Sequence, residues 1–232
     1  MKLAVMQPYF LPYIGYYQLI AAVDTFVIYD NIKYTKKGWI NRNRMLVDGA
    51  VKTFTLPLKG AADSLQIVQR EISPDFQPQK LINQFKAAYR RAPSFSHTMP
   101  LLERAIGNRL TNLFDFLRDS ILATTGHLGL DTRIITSSTV DIDHDLKGQN
   151  KVIALCRALG ADTYINTIGG VELYSREDFR TCGVDLKFIR SEPFEYPQGG
   201  NAFVPCLSIV DILMHNPLDV VKQHVLNSYG IS

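Results

Sequence analysis

"KLAVMQPYFLPYIGYYQLIAAVDTFVIYD", residues 2–30, decides the fold. "KLAVM" is a short apolar run closed by Gln7 and Pro8, which suits a buried strand. Pro8 and Pro12 disfavour helix until about Tyr13. An apolar-rich segment then runs to Ala22, interrupted only by Gly15, and reads as a short helix. "TFVIYD", residues 25–30, is a second β-rich run. Strand, helix and strand within about thirty residues is the βαβ signature of a parallel sheet.

Outward from this unit the same alternation returns. "RMLV" and "AVKTFTLPL" flank Asp48-Gly49, a strong hairpin signal. Residues 79–91, 100–106 and 112–128 read as helices and form an α-rich stretch. Residues 132–138 return to strand, 147–159 form an amphipathic helix ended by Gly160, and 162–166 form another strand. A short helix at 175–181, a strand "VDLKFIR" and a helical continuation from Leu207 complete the reading. The expected fold is a three-layer α/β sandwich with a mainly parallel Rossmann-like sheet, an added β-hairpin and an α-rich insertion. We expect one domain over residues 1–232, with residues 79–129 as an insertion or cap.

The 232 residues, 46% of them hydrophobic, suffice for a substantial core. A formal charge of +3 argues against a dedicated nucleic-acid binder. Cys156, Cys182 and Cys206 match no metal-ligand spacing and read as reduced, buried thiols of a cytoplasmic protein. His97, His127, His215 and His224 form no metal pair, so no structural metal is expected. "MKLAVMQPYF" does not read as a signal peptide, and no run approaches the ~20 apolar residues of a membrane span. A homodimer is an open expectation.

Ligands of open α/β sheets bind beyond the carboxyl ends of the strands. Three segments are expected there. In the first, Gln7, Tyr9, Tyr13 and Gly15 would shape a pocket wall, while at least half of Tyr9, Tyr13, Tyr16 and Tyr17 would pack the core. The second, "NIKYTKKGWINRNR" at 31–44, carries Lys33, Lys36, Lys37, Arg42 and Arg44 with no acid between Lys33 and Arg44. Those cations would bind phosphate or carboxylate, with Asn41 and Asn43 as neutral donors. The third, "NTIGGVELY" at 166–174, offers Asn166, Gly169, Gly170 and Glu172 to the other half of a ligand; an ordinary strand-to-helix turn explains its glycines equally well. "DHDLKGQN" at 143–150 sets His144 between Asp143 and Asp145, either a base or an exposed turn. Asp211 lies on the helical face of Ser208 and His215 and reads as the polar edge of a packing helix. GxGxxG, Walker and GxSxG patterns are absent.

The stretch "MQPYFLPYIGYYQLIAAVDTFVIYDNIKYTKKGWINRNR", with "KGQNKVIALCRALGADTYINTIGGVELY" and "FVPCLSIVDILMHNP", resembles the WbqC-like protein family. The resemblance implies a place in bacterial O-antigen or surface-polysaccharide biosynthesis and a transferase that moves an acyl or aminoacyl group, glycyl among them, onto a sugar intermediate. The substrates would be a nucleotide, a sugar or an amino acid. A non-catalytic nucleotide or nucleotide-sugar binding protein is the alternative. A weaker fold-level analogy exists to HIGH-type nucleotidyltransferases and pantothenate-synthetase-like ligases, which would make ATP a cofactor. "PYIGYY" has tyrosine where that pattern places histidine, and tyrosine brings no positive charge to a phosphate.

Overall fold

The computed structural model describes residues 1–60, 62–200 and 202–232; Asn201, which borders the third motif region, lies outside them. The first strand, β1 (Lys2–Met6), is followed by α1 (Ile14–Ala21) and β2 (Thr25–Ile28). A hairpin comes next, β3 (Arg42–Val47) and β4 (Ala50–Thr55), with Asp48 and Gly49 both at positive φ (51° and 76°). Two adjacent positive φ values suit the primed turns that match strand twist.

Three helices follow: α2 (Pro78–Tyr89), α3 (Phe95–Ile106) and α4 (Leu113–Leu128). The rest is β5 (Arg133–Thr136), α5 (Gly148–Leu159), β6 (Thr163–Thr167), α6 (Arg176–Thr181), β7 (Asp185–Ser191), α7 (Ile209–His215), α8 (Leu218–Asn227) and β8 (Tyr229–Ile231).

Six strands form the central sheet in the order β5-β2-β1-β6-β7-β8, all parallel except β8. The expected α/β class, with its mainly parallel sheet and separate hairpin, is the observed one. Alternation along the strands separates two cores, because successive side chains point to opposite faces. Leu3, Val5 and Val27 pack with Val152, Leu155, Cys156 and Phe179 of α5 and α6. Ala4, Phe26 and Ile28 pack with Tyr16, Leu19, Leu117 and Val221 of α1, α4 and α8.

Helix α1 is buried nearly all round, from Ile14 to Ile20. Its one long polar side chain, Gln18, sends its amide to the carbonyls of His224 and Ser228. Those oxygens lie at the end of α8, where the His224 carbonyl also accepts the Ser228 amide, so Gln18 ties α1 to that helix terminus.

Several boundaries differ from the sequence reading. Helix α3 begins at Phe95 rather than Pro100, since Ser94 and Thr98 bond to carbonyls of Asn216 and Leu213 and anchor the earlier turn. Strand β3 begins at Arg42 rather than Arg44, so Arg42 too is a strand residue. Helix α8 and strand β8 fall where no element was expected; β8 is only three residues long and exists through pairing with β7, as in Ile189 with Ile231.

Candidate functional site

From β1 the chain crosses through α1 toward β2, and from β6 it crosses through α6 toward β7 on the other side. β1 and β6 are neighbours, so the strand order reverses between them. Such a reversal opens a crevice at the carboxyl ends of the two strands. A cleft of about 480 Å³ lies there.

Its walls come from four segments. Gln7 and Tyr9 follow β1, Tyr29 and Ile32 follow β2, Gly148 and Gln149 open α5, and Asn166 stands near the end of β6 with Gly169, Gly170 and Tyr174 beyond it. Helix α5 has no side-chain cap and no acid in its first turn. Its leading amides therefore keep their partial positive charge for a ligand. Gly148 has φ +54°, a conformation that favours glycine.

Asn166 is buried, and its Oδ1 accepts the Thr167 amide at 2.8 Å, which leaves the side-chain nitrogen as a donor at the cleft wall. Gly170 makes that placement possible, because a Cβ there would overlap Asn166 Nδ2. Tyr29 is pushed up to about 12, first by burial and then by the charges of Tyr174 and Asp30. Burial likewise raises Tyr9 and Tyr174, so all three phenols stay protonated at neutral pH.

Behind this wall lies a polar network at the ends of β2 and β5. Asp30 is buried, and its Oδ1 accepts from Ser137 Oγ at 2.7 Å and from the Ser138 amide at 3.0 Å. Asn31 Nδ2 donates to His144 Nδ1 at 2.9 Å, which leaves the His144 proton on Nε2. Lys151, also buried, donates to the His144 carbonyl at 3.0 Å and lies 5.3 Å from the Tyr29 ring centre. Burial lowers its pKa, against the opposing charges of Asp30, Asp145 and Asp143. Among the described residues, no group of three or more His, Cys, Asp or Glu could hold a metal ion.

Five of the thirteen expected site residues line this cleft: Gln7, Tyr9, Asn166, Gly169 and Gly170. Tyr13 lines a smaller apolar hollow of about 260 Å³ with Tyr9, Trp39, Asn43, Arg44 and Cys206. Tyr16 and Tyr17 are buried in the core, as half of the four tyrosines were expected to be. The space above Gly15 is filled by the Tyr13 ring and the Ser191 hydroxyl.

The cations of the second loop lie outside the cleft lining. Lys36 pairs with Asp63 at 2.7 Å, a partner distant in sequence. The backbone of Lys33 pairs antiparallel with that of Gln66, and the Lys33 and Lys37 side chains are exposed. Arg42 donates to the Gly38 carbonyl, and Arg44 to the Cys206 carbonyl beneath the Trp39 ring. Glu172 is exposed and also outside the lining.

Asn41 and Asn43 are buried, with their amides already engaged, Asn41 on the Leu56 carbonyl and Asn43 on those of Phe10 and Leu11. Leu11 has φ +44°, and its carbonyl also accepts the Ser208 hydroxyl at 2.7 Å. The tyrosine-rich turn is thus held by two other segments of the chain. Tyr29, Gln149 and Tyr174 were missed; the first two stand at a strand end and a helix start, where the strand-end rule would find them.

Fold and cleft together define a doubly wound α/β protein with a crevice at its strand-order reversal. The WbqC-like protein family matches residues 7–223, and the chain belongs to that family. It is 26% identical over 226 residues to an uncharacterized protein of Mycobacterium tuberculosis, Rv1507c, covering 92% of this chain and 93% of that relative. No solved structure matches the chain. No described helix is long and apolar enough to cross a membrane.

Proposed function

We propose that the protein is a transferase of bacterial O-antigen or surface-polysaccharide biosynthesis that binds a phosphate-bearing, nucleotide-type ligand in the β1/β6 cleft. It would move an acyl or aminoacyl group onto a sugar intermediate. The observation that carries this reading is the uncapped start of α5 at the strand-order reversal. Free helix-start amides at such a crevice suit phosphate. Tyr9, Tyr29 and Tyr174 offer ring faces to a base or sugar, and Gln7 and Asn166 offer amides to its hydroxyls. Family membership supports the pathway assignment.

One observation favours a second reading, a nucleotide or nucleotide-sugar binding protein without catalysis. The lining of the cleft contains no Asp, Glu, His, Lys, Arg or Cys. A thermal-shift titration with ATP, nucleotide-sugars and acyl thioesters, paired with product analysis, separates the two. A ligand at about 100 times its dissociation constant adds about 2.7 kcal/mol of stability. Gly148→Asp would put a carboxylate against the same amides, in a conformation that Asp tolerates. We expect nucleotide binding to weaken at least tenfold with folding intact. Binding without product favours the second reading, and no shift with any ligand overturns both.

A further inference from the structure

A second cavity of about 460 Å³ lies apart from the cleft, and no residue lines both. It opens between the Asp48-Gly49 hairpin turn, the end of α2 and residues 197–200. At its inner wall sits His215, only 12% exposed. His215 Nδ1 lies 2.8 Å from the Asp211 backbone carbonyl. A carbonyl can only accept, so Nδ1 carries a proton, and in the neutral ring Nε2 is the acceptor.

The ring is well supported. The fully buried Asp211 carboxylate has Oδ2 3.7 Å from the same Nδ1. Asp211 is itself fixed by the hydroxyls of Tyr89 (2.8 Å) and Tyr196 (2.7 Å) and by the Gln198 amide (3.0 Å). Both phenols are raised well above their ordinary value, by burial first and then by the Asp211 charge, so they remain donors. Tyr89 and Tyr196 also flank the imidazole, with ring centres 5.8 and 6.0 Å away. No hydrogen bond joins His215 Nε2 to any described residue, and its edge of the ring is turned away from Asp211.

Two charged residues complete the lining. Arg91 makes no ion pair among the described residues, and Asp48 stands on the hairpin turn. A guanidinium is suited to a phosphate, while a carboxylate and a neutral imidazole nitrogen accept from hydroxyls. One cation beside one anion suits a ligand with a single phosphate and several hydroxyls over a polyphosphate. We propose that this cavity is a second small-molecule site, for a phosphorylated polyol such as a sugar monophosphate. In it His215 Nε2 accepts a hydroxyl and Arg91 receives the phosphate.

The test follows the His215 ring resonances by NMR in the full-length protein, assigned by their loss in His215→Asn. The probes are glucose 6-phosphate, glucose and inorganic phosphate. We expect a saturable shift with glucose 6-phosphate in the millimolar range, and binding at least tenfold weaker for either half alone. Arg91→Ala, at an exposed position, should weaken glucose 6-phosphate at least tenfold with the melting temperature unchanged. A His215 ring unmoved by glucose 6-phosphate, inorganic phosphate binding as well as the sugar phosphate, or an unaffected Arg91→Ala variant would each overturn the proposal. Gly148→Asp should leave this binding intact, so the two sites succeed or fail separately.

Discussion

The hydroxyl of Tyr89, the last residue of α2, donates to the Asp211 carboxylate on α7 at 2.8 Å and joins residues 122 positions apart. Tyr196 and Gln198 donate to the other carboxylate oxygen. One buried charge therefore ties two helices to the segment before α7. Tyr89→Phe removes one of these bonds and should cost about 1–3 kcal/mol, the range for hydrogen bonds to charged groups. Asp211→Ala takes the shared acceptor from the Tyr89 and Tyr196 hydroxyls together and should cost more, at least about 3 kcal/mol. Urea unfolding measures both, and equal costs would contradict a shared anchor.

The same burial gives the protein an alkaline limit. Burial is the first cause of the raised phenols of Tyr16, Tyr17, Tyr89, Tyr164 and Tyr196. A phenol whose folded pKa exceeds its unfolded value of about 10 holds its proton more tightly in the native state. Its contribution is fully present below pH ~10 and is lost as pH rises toward the folded value. We expect the urea midpoint to fall steadily above pH ~10, with much of the phenolate absorbance appearing only on unfolding. Smooth ionisation of all eleven tyrosines in the folded protein would refute this.

Gly170 leaves the room that the Asn166 side chain occupies at the cleft wall. A methyl group there would overlap Asn166 Nδ2, and Asn166 is itself buried. Gly170→Ala should displace that amide, destabilise by about 1–3 kcal/mol as overpacking does, and weaken cleft ligands several-fold. Gly169→Ala meets open space and serves as the control. Calorimetric titration of both variants checks the contrast.

The three thiols should separate by reactivity. Of the three thiols expected to be buried, only Cys156 is, and that burial pushes it up to about 12; Cys182 and Cys206 are exposed because they fall at the end of α6 and in the loop before α7. The thiolate is the reactive form, so a disulfide reagent at neutral pH should label two thiols quickly and the third only in denaturant. Three fast thiols would show that the face holding α5 opens readily.

Much of the sheet was legible because its strands are short apolar runs with clear stops. Pro8 ends β1, Gly160 ends α5, and Asp48-Gly49 turns the hairpin. The strand-end rule then placed Gln7, Tyr9, Asn166, Gly169 and Gly170 beside one another from chain positions far apart. The basic loop was less legible. Lys36 looked unpaired in sequence, but Asp63 arrives from beyond the hairpin to neutralise it. Asn41 and Asn43 looked like ligand donors, but backbone carbonyls of Leu56, Phe10 and Leu11 meet them first.

Local pattern by itself determined the α/β class, the hairpin and the strand ends, because periodicity and turn chemistry act over a few residues. Tertiary structure alone decided which side chains reach the cleft and which polar groups have partners. Asp211 reads along the chain as a polar edge, and packing turns it into a fully buried anchor for Tyr89, Tyr196 and Gln198. Hydrogen bonding and desolvation depend on neighbours that only the folded chain brings within about 3 Å.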